Sequence, residues 1–132
     1  MEHMREILFR GKDIRGAWHI GLLAHIGDAW YISNKAGVAT AFEIVPQTFG
    51  QYTGLSDKSG VKIFEGDIVK CISRFDAKDM VVIFEAAEFH LVDCQRYKNY
   101  TECCGYRYFG TLETEVIGNI HDNPELLKGE GE

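Results

Sequence analysis

Short apolar runs separated by turn residues dominate this chain, and few windows hold the i, i+3, i+4, i+7 spacing of an amphipathic helix. Runs of about four to eight residues, rich in β-branched and aromatic side chains and bounded by turn residues, are typical of β-strands. The pattern therefore predicts a mainly β protein. The predicted strands cover residues 7–10, 18–26, 29–33, 40–45, 68–75, 80–84, 89–94, 106–112 and 115–120.

The first long run, residues 18–26, is separated from the next by Gly27-Asp28, a two-residue loop that suits a type II′ turn. We therefore expect the two runs to form a hairpin. His19 and His25 alternate along the first run with apolar side chains. These apolar side chains are Trp18, Ile20, Leu22 and Ala24. Because a half-buried strand turns its apolar positions towards the core, we expect both histidines on the solvent face.

Two turns in the middle of the chain depend on glycine. The run Asp57-Lys58-Ser59-Gly60 fits a type I turn followed by a residue with positive φ, which we expect at Gly60. Gly66 lies between two carboxylates, Glu65 and Asp67, which also suggest a site for general acid–base chemistry. No third group in the sequence organises that pair. We therefore expect Gly66 to adopt a backbone conformation that residues with a Cβ cannot readily adopt, and Asp67 to cap the turn.

The strand predicted at residues 68–75 carries apolar groups on both faces. Ile68 and Ile72 lie on one face, and the other face carries Val69, Cys71 and Phe75. Such a strand is typical of a barrel wall or a sandwich. Near the end of the chain, a capping residue precedes Pro124 and an acidic residue, which predicts a short helix over residues 122–127.

Composition and charge narrow the class of protein. The chain has 132 residues and 45% hydrophobic residues, which fits one globular domain. No apolar stretch approaches the roughly 20 residues that span a bilayer, and the N-terminus lacks the apolar core of a signal peptide. We therefore expect a soluble cytoplasmic protein, with no membrane partner. The net charge of −6 opposes binding to phosphate backbones and anionic lipid.

The cysteine and histidine side chains in the second half of the chain are of the types that bind metal ions or act in nucleophilic catalysis. The donors are His90, Cys94, Cys103, Cys104 and His121. Their spacing lacks the paired Cys-x-x-Cys knuckles of structural zinc sites, so we expect no metal and no cofactor. A catalytic thiolate needs a helix N-terminus or a cation beside it, and no helix follows Cys103-Cys104. No phosphate loop, nucleophile elbow or zinc-protease helix motif is present, so we expect no enzymatic activity.

Three blocks of the sequence are specific beyond their pattern. They read REILFRGK at residues 5–12, QYTGLSDKSGVKIFEGDIV at 51–69 and EVIGNIHDNPELL at 115–127. In order and spacing, the chain from residue 5 to 127 closely resembles the YopX family of phage and prophage proteins. The resemblance implies a phage or prophage origin and a β architecture with an SH3-like barrel element, in a family whose biochemical role is not established. Departures from the family pattern lie at residues 11–16 and 97–108.

The predicted organisation combines the strand pattern with this resemblance. An N-terminal β-meander of residues 5–46 is expected to pack on an SH3-like β-barrel of residues 47–121, followed by the short helix of residues 122–127. Residues 1–4 are assigned to a start segment outside the domain, and residues 128–132 to a disordered tail. Exposed strand edges near Pro46 could pair between copies, so the sequence leaves the oligomeric state open.

Tyrosines interleaved with basic residues between the last predicted strands form the candidate partner surface. It consists of Arg96, Tyr97, Lys98, Tyr100 and Arg107. Tyr and Arg are enriched at protein–protein hot spots, and aromatic rings with cations also bind nucleic acid by stacking and phosphate contact. The acidic net charge favours a protein partner. We therefore expect a module that binds a host or phage protein, with a nucleic-acid-binding accessory domain as the alternative.

Overall fold

The computed structural model describes residues 6–33, 41–85, 87–95, 97 and 113–127, and within these ranges the backbone is built mainly from antiparallel β-strands. The mainly β prediction is confirmed. The strands are β1 Phe9–Lys12, β2 Trp18–Ile26, β3 Ala29–Ser33, β4 Phe42–Ile44, β5 Gly50–Ser56, β6 Lys62–Phe64, β7 Asp67–Ile72, β8 Ala77–Glu85, β9 Glu88–Asp93 and β10 Glu113–Asn119. The predicted strand at residues 106–112 lies outside the described residues.

The chain divides into two compact units, Met1–Gly54 and Leu55–Glu132. In the first unit the strands lie in the order β4-β3-β2-β1-β5. The predicted hairpin of β2 and β3 is confirmed, with Ile26 paired to Ala29 across a turn in which Gly27 has φ +61°. A short 3₁₀ turn, Pro46–Thr48, leads from β4 into β5.

A small core of the first unit lies on one face of its sheet, where Ile32 and Ile44 are buried. Gly11 of β1 faces Ile44, and a Cβ added to this glycine would lie only 2.7 Å from Ile44 Cδ1. Real Cβ atoms essentially never come so close to another carbon. The absence of a side chain at Gly11 is therefore what lets Ile44 cover β1.

The second unit contains a four-stranded sheet in the order β10-β7-β8-β9 with an apolar cluster on each face. One cluster consists of Ile63, Val69, Cys71, Met80, Val82 and Leu91. The opposite cluster, which we call the Leu127 cluster, consists of Ile68, Val81, Ile83, Val92, Cys94 and Leu127. The predicted two-sided burial of β7 is thereby confirmed. Its predicted C-terminal limit is wrong, because β7 ends at Ile72 and Phe75 is 90% exposed in the following turn.

Two finer predictions about the second unit are not confirmed. The described strands form open antiparallel sheets and do not close into an SH3-like barrel. Closure depends on which distant strands pair, and no local pattern encodes those pairings. The C-terminal segment forms a four-residue 3₁₀ turn, Pro124–Leu127, where a short helix over 122–127 was expected. Leu127 of this turn is buried in the Leu127 cluster.

Candidate functional site

Three of the five exposed large hydrophobic side chains in the described part of the first unit lie on β2. Ile20 and Leu22 are each 45% exposed, and Ile26 is 67% exposed. Successive side chains of a strand point to opposite faces of the sheet, so these three residues, at even-numbered positions of β2, share one face. The strand register adds side chains of the neighbouring strands to this side. We call the set the β2 face: Arg10, Lys12, Trp18, Ile20, Leu22, Ala24, Ile26, Ala29, Tyr31, Ser33 and Glu43.

The predicted orientation of β2 is therefore reversed. His19 is expected on the solvent face, yet its ring stacks on Phe42 with centroids 3.9 Å apart, on the side of the sheet that carries Ile32 and Ile44. His25 shares that side and remains exposed, stacked on Trp30 at 4.0 Å. Ile20, Leu22 and Ile26 of β2 face outwards instead, while Leu23 lies opposite Ile32 on the inner side. An imidazole can occupy the inner side here because a ring covers one of its faces and a carboxylate accepts its N–H.

That carboxylate belongs to Asp13, in the turn between β1 and β2. Its Oδ2 lies 2.8 Å from His19 Nε2, and its Oδ1 accepts the backbone N–H groups of Arg15 and Ala17. The hydrogen bond from His19 is the main reason why the pKa of Asp13 lies below its ordinary value. Asp13 thus fixes both the turn and the inward orientation of His19.

Two cations border the β2 face on the β1 side. Arg10 Cζ lies 4.8 Å from the centroid of a Trp18 ring, and Lys12 Nζ lies 5.4 Å from it. Both distances are within the range of cation–π attraction. Glu43, an exposed residue of β4, lies on the same face of the sheet but on the flank of β2 opposite to β1, and it is the cross-strand partner of Tyr31. The β2 face therefore has an apolar centre, a basic border and an acidic border.

In the second unit, the Asp57 carboxylate accepts three backbone hydrogen bonds. Its Oδ1 accepts from Ser59 at 2.8 Å and from Val61 at 2.9 Å, and its Oδ2 accepts from Val116 at 2.9 Å. The Val116 bond is the largest cause of the lowered pKa of Asp57. The local sequence marks Asp57 only as a turn residue, since its contact with β10 is not local. The arrangement is structural, with every carboxylate oxygen engaged by the backbone.

The glycine turns have the predicted backbone geometry. Gly60 has φ +86° and Gly66 has φ +91°, so the expectation of positive φ is confirmed at Gly60 and the special conformation expected at Gly66 is present. Asp67 is buried, and its Oδ2 accepts the backbone N–H of Phe64 at 2.7 Å. Gly66 itself donates to Val82 O and accepts from Ile120 N. These contacts let the Glu65-Gly66-Asp67 segment join β6, β8 and the residue that follows β10.

Of the predicted partner surface, the structure describes one residue. Tyr97 is half-buried against the Leu127 cluster, and burial, followed by the charge of Glu65, raises the pKa of its hydroxyl. Arg96, Lys98, Tyr100 and Arg107 lie outside the described residues. Tyr97 therefore has packing contacts of its own, and the surface proposed from the sequence remains a prediction.

The described thiols and imidazoles are dispersed. Cys71 and Cys94 are buried free cysteines whose pKa burial raises to about 11 and about 12. His90 is buried on β9, with Nε2 3.0 Å from Glu85 O. No group of three or more His, Cys, Asp or Glu side chains within the described part of the chain is arranged to hold a metal ion. Cys103 and Cys104 lie outside the described residues.

A polar depression of about 410 Å³ opens beside β8 and the end of β9. Its lining side chains pair with one another, with Lys70 3.1 Å from Asp79 and Lys78 3.4 Å from Asp93. Both lysines of the lining are thus paired within the protein, and the third carboxylate, Asp76, accepts the backbone N–H of Ala77, so the depression points to no ligand class. As for membranes, none of the described helical segments has the length and hydropathy to cross a bilayer.

Comparison with known proteins agrees with the β architecture. A family model described as YopX protein matches residues 22–128, most of the chain. The chain belongs to the YopX family. This match to the YopX model begins within β2 and includes every later strand of the structure, so it covers the outer row of β2 from Leu22 onwards. The family predicted from the three sequence blocks is confirmed.

A solved structure similar to this YopX-family chain is the crystal structure of protein EF1440 from Enterococcus faecalis. The two share 21% sequence identity with a TM-score of 0.56, and the similarity covers 95% of this chain and 100% of the other. At that identity the likeness concerns the fold alone. No curated protein sequence matches this chain.

Proposed function

We propose that this YopX-family chain is a protein interaction module, encoded by a phage or prophage and acting on a host or phage protein in the bacterial cytoplasm. The observation that carries the proposal is the β2 face, where Ile20, Leu22 and Ile26 expose their side chains in a single row. Strand residues rise about 3.3 Å each, so the row is about 20 Å long.

Contiguous apolar surface of this kind supports binding for an energetic reason. Removing apolar area from water lowers the free energy by roughly 25 cal/mol per Å². A partner that covers the row is therefore bound more favourably than water. The arrangement also matches interface anatomy, which places apolar side chains at the centre and polar ones at the rim. Here the rim consists of Arg10 and Lys12 on one side and Glu43 on the other.

The proposal assigns binding and no reaction. The described side chains that most resemble catalytic groups have structural partners or lack reactivity. Asp57 and Asp67 accept backbone hydrogen bonds, and the pKa values of the Cys71 and Cys94 thiols lie far above neutrality, which keeps both protonated.

Nucleic-acid binding is the second candidate, and one observation favours it. Trp18 lies among the cations Arg10 and Lys12, a combination that can stack a base and neutralise a phosphate. Two features favour a protein instead. The net charge is −6, and the rest of the row consists of aliphatic side chains, which offer no stacking surface.

A capture experiment with a matched pair of variants tests the proposal. Leu22→Ser removes the centre of the row, whereas Leu55→Ser makes the same change at a 37% exposed leucine on β5. We expect a protein retained from bacterial lysate to be lost with Leu22→Ser, kept with Leu55→Ser, unaffected by nuclease and bound again when purified. Equal retention by both variants contradicts the proposal, and loss of binding after nuclease supports the nucleic-acid alternative.

A further inference from the structure

We propose that the turn between β7 and β8 is a second contact site, which inserts Phe75 into an apolar pocket of another protein that carries a carboxylate at its rim. We call the turn Ser73-Arg74-Phe75-Asp76 the Phe75 tip. It lies in the second unit, whereas the β2 face lies in the first. The inference therefore goes beyond the proposed function and does not depend on it.

The fold does not require an aromatic ring at Phe75. The side chain is 90% exposed, in a turn that joins the paired residues Ile72 and Ala77. Turns favour Gly, Asn, Asp, Ser and Pro, because these residues fit the backbone angles or bond to the backbone, and a phenylalanine ring does neither. A residue that serves neither its turn nor the core is a candidate for function.

A second phenylalanine of the same hairpin shows the difference. Phe84 is 46% exposed, and its ring packs edge-on against Phe89 with centroids 4.8 Å apart. The ring of Phe75 contacts the guanidinium of Arg74 instead, with Cζ 5.9 Å from its centroid. That distance is at the limit of cation–π attraction, and the ring stays open to solvent.

The Phe75 tip is held in place by hydrogen bonds and by the sheet beneath it. The backbone N–H of Ser73 donates to Asp76 O at 2.8 Å, and the hydroxyl of Ser73 donates to the same oxygen at 3.1 Å. Val69 of β7 and Val81 of β8 are completely buried below the turn. A ring presented on a preformed turn loses little conformational freedom on binding, which favours affinity.

Shape and charge identify the occupant. A projecting ring fits a concave apolar site, and the depression beside β8 is lined by lysines and aspartates, so it offers a second copy no such site. Asp76 accepts the N–H of Ala77, and Lys78 pairs with Asp93. Arg74 is exposed and forms no salt bridge within the described part of the chain, so a carboxylate of the partner complements it.

The class of partner follows from the charge of the whole chain. A net charge of −6 opposes binding to nucleic acid and to anionic lipid, the other two surfaces that an exposed Phe beside an Arg could enter. An aromatic anchor next to an arginine is instead typical of protein–protein hot spots. A protein partner is therefore favoured.

Photo-cross-linking of the full chain tests the site. Phe75→p-benzoylphenylalanine is irradiated in bacterial lysate, and Phe84→p-benzoylphenylalanine is the matched control. We expect one protein to be cross-linked at position 75 and not at position 84. That protein is then purified, and its affinity for the wild type and variants is measured by calorimetry, since the cross-linked product alone does not support the inference.

The variants separate the ring from the charge. Phe75→Ser should weaken binding about tenfold or more, while Ile14→Ser, at a 92% exposed residue in the turn between β1 and β2, leaves it unchanged. Arg74→Glu should weaken binding more than Arg74→Gln does, and added salt should weaken the wild type more than Arg74→Gln. Circular dichroism establishes that each variant is folded.

The outcomes distinguish this inference from the proposed function. Equal affinity of Phe75→Ser and the wild type overturns it, as does the absence of a product specific to position 75 or the recovery of nucleic acid in place of a protein. Leu22→Ser should bind the partner of the Phe75 tip as tightly as the wild type. Binding that Leu22→Ser abolishes and Phe75→Ser leaves intact contradicts this inference and supports the proposed use of the β2 face.

Discussion

Asp57 Oδ2 accepts the backbone N–H of Val116 at 2.9 Å, which joins the turn after β5 to β10 across 59 residues of sequence. The other oxygen of the same carboxylate accepts the N–H groups of Ser59 and Val61 within the turn. One buried side chain thus holds a local turn and a distant strand together. In the second unit, the turn at Asp57 and the position of β10 therefore depend on the same carboxylate.

Removing this carboxylate should destabilise the protein. We expect Asp57→Ala to lower the free energy of unfolding by about 2 kcal/mol, because three backbone N–H groups lose an acceptor that carries a charge. Urea denaturation at pH 7 measures the change. The control is Glu113→Ala, an exposed carboxylate at the start of β10. Equal stability of Asp57→Ala and wild type would contradict the role assigned to Asp57.

The same carboxylate should make stability depend on acid. Because hydrogen bonds hold the pKa of Asp57 below its ordinary value of 3.8, the unfolded chain takes up this proton at a higher pH than the folded chain. The contribution of Asp57 is therefore complete above pH 3.8 and is lost as pH falls below it towards the folded pKa. Unfolding of wild type and Asp57→Asn, compared between pH 2.5 and 7, should show a difference that is constant near neutrality and shrinks in acid. A difference that grows in acid would reverse the sign.

Gly66 should tolerate no branched side chain. Its φ of +91° is unfavourable for any residue with a Cβ, and such strain costs about 1 to 3 kcal/mol. We expect Gly66→Val to lower the melting temperature by several degrees. Val61→Ala, at an exposed position near the preceding turn, is the reference for a change outside this conformation. Melting of Gly66→Val at the wild-type temperature would show that the turn adapts.

Ala87 carries a Cβ at a positive φ of +64°, in the turn between β8 and β9. A Cβ in this region costs roughly 1 to 2 kcal/mol, and glycine removes that cost while adding freedom to the unfolded chain. Ala87→Gly is therefore expected to stabilise the protein by about 0.5 kcal/mol. Chemical denaturation monitored by circular dichroism measures the effect. A clear loss of stability would mean that the turn does not need positive φ.

Features set by neighbouring residues were predictable from the sequence. Gly27-Asp28 predicts the hairpin of β2 and β3, and the positive φ of Gly60 follows from the residues around it. The apolar character of both faces of β7 follows from Ile68 and Val69. In each case the signal and the structure lie within a few residues of each other.

Features set by distant contacts were not predictable in the same way. Alternation along β2 shows that its two faces differ, but the choice between them depends on Ile44, whose close approach Gly11 permits, and on Phe42, which covers His19. A histidine with a stacked ring and a carboxylate partner occupies an inner position that polarity alone assigns to solvent. The candidate surface on β2 was missed for this reason, and the open sheets differ from the expected barrel because strand pairing is long-range.

The placement of Cys71 and Cys94 in opposite apolar clusters makes them natural reporters of motion in the second unit. A thiol reagent reaches each of them only when the cluster around it opens, because both are buried and protonated at neutral pH. With Cys103 and Cys104 replaced by serine, single-cysteine variants would record the opening of each side of one sheet separately. Equal labelling rates would identify a single cooperative opening, and unequal rates would reveal which side of the sheet loosens first.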